Sequence, residues 1–573
     1  MSTLFFLNLQ SKWPEVEARP NRRGTVVNVP EVPFHYLILG AINDIAKNDP
    51  ELVAFNHYDN PDIPNITYAE VKSQCQKLSR FFTHEKMLHK GEVAAICLPN
   101  SYHFAVYFLG VASVGGVTTG FSHKAKPSDW VYQLNNSESR VLLTNKHVFK
   151  NLRKVFGQLR YLKNVILLDA EPDEVITQPR LKIKSWYDVL QAPAEFNILK
   201  VKIDPKEDLL VLPYSSGTTG RPKGVMITHY NYVAQVISYK VFTETQISVH
   251  LKNFGLDFNA PTFSLLFSPF YHAMGFFLLC AHLYRGHTMI IFANLKMERF
   301  LQAITEFKPR IVSMVPSMFS FFIKSPLLDK YDVSSILNFG CGGSALTAEL
   351  SEAFYRKFPN CKIINQAYGL TEMTCAIASS PFNAKVGSAG IILPNISYRI
   401  VHPKTKKECG HQEPGELWCR GPTMMKGYWK NTRDTKATIT KDGWLKTGDL
   451  VAEAEDGQLF IVGRLKELIK VNAFQVAPAE LEDLIHQHPL VEDVAVIGVP
   501  DPVLGEKPRA YIIRKSEKLK PQEVFDYVAE RVTPYKKLVG GVEFVEKIPR
   551  NESGKIMRRM FLASYMVNHK PKL

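Results

Sequence analysis

The sequence predicts an α/β protein. It should have a large N-terminal part of stacked α/β subdomains with a β-rich subdomain, then a small mobile α+β C-terminal domain. Three observations carry this. Short apolar, β-branched runs alternate with amphipathic stretches, the rhythm of parallel sheets with crossover helices. A turn-rich, strand-rich region spans residues 383–461. A charged connector, Gly463–Glu467, then separates a last unit with its own helix and strand patterns. The expected division is 1–465 and 466–573.

Taken in order, the runs Glu92–Cys97, Arg140–Thr144, Asn164–Leu168, Asp208–Leu212, Thr288–Phe292 and Arg310–Val315 read as strands. Tyr68–Lys86 and Glu298–Phe307 lie between strand runs and read as helices. Glycine-rich turns are expected at Ser215–Gly224, Gly340–Gly343 and Tyr368–Gly369. In the last unit, Val476–His486 reads as a helix with Leu481, Leu484 and Ile485 on one side. Val494–Val499 reads as a strand and Gln522–Val532 as a helix. No internal repeat is visible.

With 573 residues the chain is long enough for several cores. Its 45% hydrophobic and 22% charged content excludes a wholly disordered or fibrous chain. Lys plus Arg is 70 and Asp plus Glu 55, so the formal net charge is +15. Such a surface attracts polyanions. No zinc-finger spacing, RNA-binding signature or sustained basic tract accompanies it, so no nucleic-acid partner is expected. The eight cysteines form no CxxC pair and fit neither a disulfide framework nor a metal site, which suggests a reducing compartment. Phe258–Tyr284 lacks Asp, Glu, Lys and Arg, yet it contains Pro261, Pro269, His272 and His282. That composition suits a buried strand–loop–helix, and no transmembrane segment is expected. No basic region precedes the short apolar run of Met1–Gln10, so a secretory signal is not expected either.

The strongest chemical signal is the segment from Tyr214 to Val225. It contains Ser215, Ser216, Gly217, Thr218, Thr219, Gly220 and Lys223. Glycines let backbone approach a ligand, hydroxyls and amides grip phosphate oxygens, and the lysine adds charge. A P-loop ATPase needs Gly-Lys followed by Ser or Thr. Here Arg221 and Pro222 separate Gly220 from Lys223, and Gly224 follows. Downstream come Tyr368-Gly-Leu-Thr-Glu372, Thr447-Gly-Asp449, Gly463-Arg-Leu-Lys466 and Ser553-Gly-Lys555.

This ordered set, spread over nearly the whole chain, resembles the adenylate-forming superfamily of acyl-CoA synthetases, 4-coumarate:CoA ligases and beetle luciferases. The segments Gly415–Gly421 and Gly427–Trp429 resemble 4-coumarate:CoA ligase-like and peroxisomal acyl-CoA synthetases most. The resemblance implies an ATP- and Mg²⁺-dependent ligase that joins a hydrophobic carboxylate, fatty or aryl-alkenoic, to coenzyme A through an acyl-adenylate. AMP and pyrophosphate would leave.

Carried over residue by residue, the resemblance gives Lys223 and the loop hydroxyls to the β- and γ-phosphates. Thr371 takes a phosphate oxygen and Glu372 takes Mg²⁺. Tyr368, with Gly369 beside it, offers a face to adenine. Asp449 accepts from the ribose hydroxyls, and Arg464 is a second ribose or phosphate contact. Gly342 and Gly343 let a flat group lie on backbone. Lys555 is the adenylation lysine, and His272 lies beside the carboxylate site. A hinge at Lys466 would withdraw Lys555 and present Lys470 and Gln475 for the thiol step. The expected pocket walls are Tyr271, Met274, Ser313, Cys341, Ala345 and Cys375.

Three departures stand out. Val471-Asn472-Ala473 replaces the aromatic-Lys-Gly of many relatives, a departure that bears on the CoA step rather than on adenylation. Gln235 stands where light-emitting relatives place an arginine, and Cys375 follows the Tyr368–Glu372 motif, so a luciferase-type oxygenase is the weaker reading. Extra residues near Ser248–Asn259 are expected to alter the acyl entrance. A nucleotide-binding, non-catalytic role would need a lost catalytic group, yet Lys223, Glu372, Asp449, Arg464 and Lys555 all stand. The final Pro571-Lys572-Leu573 partly matches the Ser-Lys-Leu peroxisomal address. It suggests a peroxisomal import receptor as partner and the peroxisome as location, with the cytoplasm otherwise.

Overall fold

The computed structural model describes residues 25–172, 174–193, 201–215, 221–256, 262–343, 346, 348–471, 474–551 and 554–568. Five sheets are present among the described residues. The widest has the run of strands Gly427–Tyr428, Lys223–Thr228, Leu209–Val211, Val117–Gly120, Val93–Cys97, Val141–Thr144, Asn164–Leu167 and Lys182–Ser185, with Tyr214–Ser215 pairing off it. Leu209–Val211 through Lys182–Ser185 pair in parallel, whereas Lys223–Thr228 and its other partners are antiparallel. The central strand Val93–Cys97 is buried at every position, as a strand covered on both faces must be.

A second sheet sets Ile311–Met314, Asn338–Cys341 and Ile363–Leu370 in parallel, then adds Cys375–Ser379 and Ile391–Ile392 antiparallel. A third combines Phe263–Leu266, Thr288–Ile291, Val53–Asn56 and Ile66–Thr67. The fourth, Ser397–Val401, Gly415–Arg420, Leu445–Glu453 and Leu459–Arg464, is wholly antiparallel and fills the strand-rich region expected from the sequence.

The last sheet lies beyond Gly463. Its long hairpin Val491–Asp501/Gly505–Arg514 alternates in a period of two. Val494 and Val496 pack with Leu481, Ile485, Val524 and Val528 of the helices Pro478–His486 and Pro521–Ala529. Ala495 and Ile497 pack on the other side with Phe561 of the helix Arg558–Asn568. Helices on both faces give this unit its own core.

Several sequence expectations shift. The helix expected from Val476 starts at Pro478, because Phe474–Val476 pairs with Ile469–Val471 and Pro478 suits the first helical turn. The turns expected at Gly340–Gly343 and Tyr368–Gly369 are in part strand: Gly340 and Cys341 belong to Asn338–Cys341, and Tyr368 and Gly369 to Ile363–Leu370. Parallel neighbours on both sides of Gly340 and Cys341, and the antiparallel strand Cys375–Ser379 beside Tyr368 and Gly369, supply the pairing that local glycine content argues against.

The described part of Phe258–Tyr284, from residue 262, holds the strand Phe263–Leu266, a loop with Pro269 and all but the last residue of the helix Ala273–Arg285, as expected. No helix among the described residues is long and apolar enough to cross a membrane. Among the described residues, which include all eight cysteines, no disulfide forms, and of the eight only Cys375 is not classed as buried.

Candidate active site

A cavity of about 660 Å³ opens where the second sheet, the fourth sheet and the C-terminal unit meet. Ser215, His272, Gly342, Gly343, Tyr368, Gly369, Thr371, Glu372, Arg464 and Lys555 all line it. Of the expected pocket walls, Tyr271, Met274, Ser313, Cys341 and Cys375 line it as well. Ser216, Gly217, Thr218, Thr219, Gly220, Ala345, Asn472, Ala473, Ser553 and the terminal Pro571-Lys572-Leu573 lie outside the described residues.

The two ends of the phosphate loop are held together by strand pairing. Lys223 pairs with Ser215 and Gly224 with Tyr214. Ser215, at one of those ends, lines the cavity. Ser215 Oγ donates to Glu372 Oε1 at 3.0 Å, and Tyr428 Oη donates to the same oxygen at 2.8 Å. Both bonds fall on one carboxylate oxygen. Lys223 does not line the cavity: its Nζ lies 2.6 Å from Asp434 Oδ2 and 4.8 Å from the Tyr428 ring centroid. Sequence reasoning missed Tyr428 and Asp434, although Gly427–Trp429 carried part of the resemblance.

The expected nucleotide residues cluster around Asp449, which is 2% exposed. Tyr368 Oη donates to its Oδ2 at 2.7 Å, and Arg464 Nε lies 2.9 Å from its Oδ1. Burial pushes the Asp449 carboxyl above its usual range, against the pull of Arg464 and the Tyr368 bond. Burial acts to lower the Arg464 guanidinium, but Asp449 and Glu467 outweigh it and hold Arg464 above its ordinary value. Each carboxylate oxygen keeps a second lone-pair direction for a further donor.

Gly369 permits the close packing here. A Cβ at this position would lie 1.7 Å from the Cys375 carbonyl oxygen. Gly342 faces Met274, whose sulfur would be 3.3 Å from such a Cβ, so backbone forms a flat wall. Gly343 has φ +86°, a conformation that favours glycine.

His272 caps the helix Ala273–Arg285, its carbonyl accepting from Phe276 N–H at 2.8 Å. Burial lowers its pKa, so the ring is neutral at pH 7. Lys555 reaches the cavity from a turn fixed by Asn551, whose Oδ1 accepts the Lys555 N–H at 2.9 Å. Burial and neighbouring Arg464 lower the Lys555 pKa, while Glu467 and Asp449 oppose them. Lys470 is elsewhere. It is the exposed residue between buried Ile469 and Val471, and it does not line the cavity.

Two further expectations change. Gln235 is fully buried in the helix His229–Thr243 and is not among the cavity-lining residues. The described part of the extra segment, Ser248–Leu256, does not line the cavity either, and His250 stacks on Phe382 at 4.8 Å.

One cavity thus brings together Ser215 at the start of the glycine-rich segment, Tyr368–Glu372, Arg464 and a lysine from the C-terminal unit. The AMP-binding enzyme family matches residues 42–429, and the AMP-binding enzyme C-terminal domain matches residues 480–555. The chain belongs to the AMP-binding enzyme family. It is 34% identical over 549 residues to acyl-CoA synthetase 7 of Caenorhabditis elegans, covering 94% of this chain and 98% of that one. It is 36% identical over 506 residues to 4-coumarate–CoA ligase 4 of Arabidopsis thaliana, covering 86% and 85%. The solved anthranilate CoA ligase AuaEII, in complex with anthranoyl-AMP, shares the fold with a TM-score of 0.79 at 24% identity, covering 92% and 97%. This adenylate-forming enzyme is an AMP-forming ligase.

Proposed function

We propose that this AMP-binding enzyme joins a hydrophobic carboxylic acid, fatty or aryl-alkenoic, to coenzyme A in two steps. The observation that carries the reading is the single cavity that seats Lys555, Arg464, Thr371 and Glu372 beside apolar walls including Phe277, Leu278 and Met318. In the first step a carboxylate oxygen attacks the α-phosphorus of ATP, and the bond to the β-phosphate bridging oxygen breaks. Pyrophosphate leaves and acyl-AMP forms. Two anions have to meet, so the site supplies positive charge and fixed geometry. Lys555 stabilises the charge that develops between carboxylate and α-phosphate. Asp449 accepts from the ribose hydroxyls with Arg464 beside it, and Tyr368 packs on the base. Neutral His272 orients the carboxylate without drawing it into a salt bridge. Lys223 leaves Asp434 for the β- and γ-phosphates.

Ser215, Thr371 and Glu372 offer only oxygen donors, which suits Mg²⁺. Among the described residues no three His, Cys, Asp or Glu side chains form a ready-made metal cluster. Glu372 would therefore share the ion with ATP phosphates, as Mg²⁺ sites in nucleotide enzymes do. The ion would neutralise phosphate charge.

In the second step the CoA sulfur attacks the acyl carbonyl, the thiol proton is lost and AMP leaves. We assign this step to a swing of residues 466–573 about Lys466 that withdraws Lys555 and brings up Lys470. The cavity-facing Lys555 and outward Lys470 support this division.

The test is pyrophosphate release with ATP and Mg²⁺ across fatty and cinnamate-type acids, each with and without CoA. CoA-dependent turnover with one acid class is expected and names the substrate. No release with any acid in either class would overturn the substrate reading. Stalled acyl-AMP would mean that Val471-Asn472-Ala473 has cost the second step.

A further inference from the structure

Glu467 directly follows the hinge residue Lys466 and sits between two cations. Its Oε1 lies 3.8 Å from Lys555 Nζ, and its Oε2 accepts from Arg558 Nη1 at 2.9 Å. Arg558 is itself immobilised. Its Nη2 meets both oxygens of buried Glu482 at 2.8 and 2.6 Å, and its Nε donates to the Val496 carbonyl at 3.2 Å. Glu482 in turn accepts from Val496 N–H at 2.7 Å. One carboxylate oxygen of Glu467 is therefore anchored to the core of the C-terminal unit, and the other faces the lysine.

The backbone that carries Lys555 is fixed from its other side. Gly554 adopts φ +81°, and Arg550 grips Asp493 with both oxygens at 2.9 Å while donating to the Gly554 carbonyl at 3.0 Å. Lys555 is thus held at its backbone by Asn551 and faced at its ammonium by the Arg558-bound carboxylate of Glu467.

We propose that Glu467 is a positioning residue for adenylation, its carboxylate holding the Lys555 ammonium at the cavity mouth with Arg558 as the fixed anchor that aims it. The inference rests on the two-step reading above. A separation of 3.8 Å keeps the ion pair without a full hydrogen bond, so the ammonium can turn to an incoming phosphate. Lys223, at 2.6 Å from Asp434, has to break a much shorter contact.

The groups facing Lys555 explain why an anchor is needed. Arg464 and Arg558 are like charges, and burial disfavours the ammonium; among the described residues Glu467 and Asp449 oppose them. Asp449 is already bonded to Tyr368 and Arg464. Removing the Glu467 charge tips this balance toward a neutral amine, which cannot stabilise developing negative charge.

The experiment compares wild type with Glu467→Gln and Glu467→Asp in the full-length protein. Lysines are reductively ¹³C-methylated, which keeps their charge, and the Lys555 signal is assigned by its loss in Lys555→Arg. In Glu467→Gln that signal should titrate at lower pH than in wild type. In unmethylated protein, the basic limb of the adenylation pH profile should move the same way, with adenylation falling on that limb. Thioester formation from supplied acyl-AMP should fall far less, and Glu467→Asp should recover most of the loss. An unmoved Lys555 titration, or equal loss in both half-reactions, overturns the proposal. The NMR readout needs no turnover. A moved titration in a protein that releases no pyrophosphate would keep the Glu467–Lys555 tie and sink the two-step reading instead.

Discussion

Asp449 and Arg464 face each other across two antiparallel strands, with Arg464 Nε 2.9 Å from Asp449 Oδ1. The strands Leu445–Glu453 and Leu459–Arg464 place the buried carboxylate beneath the cavity wall and its cation on it. Asp449→Asn keeps the shape and removes the charge. It removes the carboxylate bonded to Arg464 and weakens the two acceptor positions proposed above for the ribose. Charge-assisted hydrogen bonds are worth about 1.5–3 kcal/mol each, so ATP binding should weaken about 100-fold. Calorimetric titration with a non-hydrolysable ATP analogue checks this. Unchanged affinity would remove Asp449 from the nucleotide site.

Lys555 and Lys470 lie in different surroundings of one small unit, the first in the cavity and the second outside it. Lys555→Ala should slow adenylation by about 10²–10³-fold and spare thioester formation from supplied acyl-AMP. Lys470→Ala should show the opposite split. Separate half-reaction rates decide the matter, and equal damage to both steps by either change would refute the two-face assignment.

Gly369 and Gly448 predict contrasting costs. A Cβ on Gly369 would run into the Cys375 carbonyl, whereas one on Gly448 meets nothing within 4 Å and suffers only from its φ of +73°. Gly369→Ala should cost about 3 kcal/mol or more through forced backbone movement, and Gly448→Ala about 1 kcal/mol. Thermal melts of the two variants, read with nucleotide absent, test the ranking.

Acid stability should depend on a buried histidine pair. His229 Nδ1 accepts from Phe34 N–H at 3.2 Å, and its ring centroid is 5.7 Å from that of His35. Burial, with the other ring's charge, lowers His35 to about 3, and burial lowers His229 to about 4. Below pH 6.5 the unfolded chain binds protons that the folded one refuses. Their stabilisation is full above that pH and is lost as pH falls toward the folded values. At pH 5 the His35 share of the loss is about 2 kcal/mol. Melting temperature should drop between pH 7 and 5, with a shallower slope in His35→Phe; an equal slope would exclude His35.

Much of this site was legible because its residues sit in contiguous motifs whose order along the chain resembles one family. Tyr368, Thr371, Glu372, Arg464 and Lys555 reach one cavity from three separate segments. Tyr428, Asp434 and Glu467 were not legible as partners of those residues. Each acts through a contact made only when distant segments pair: Tyr428 enters the site by pairing with Val225. Lone Tyr, Asp and Glu residues carry no spacing signal.

Element limits failed for a similar reason. Val494–Val499 was readable as apolar, but the strand runs from Val491 to Asp501. The facing strand Gly505–Arg514 extends the pairing to Val491 and Asp493 at one end, past a register shift at Glu492, and to Pro500 and Asp501 at the other.

The cysteines have a practical consequence. Seven of the eight thiols are buried, and burial pushes Cys361 and Cys375 up to about 12 and raises Cys75, Cys280, Cys341 and Cys419 as well. Thiolates, not thiols, react with disulfide dyes. A chromogenic disulfide added to native enzyme and coenzyme A therefore titrates the coenzyme sulfhydryl against a nearly silent protein background. Thioester synthesis can be followed by the disappearance of colour-forming thiol alone, and a rise in protein-derived colour during the same run would report unfolding.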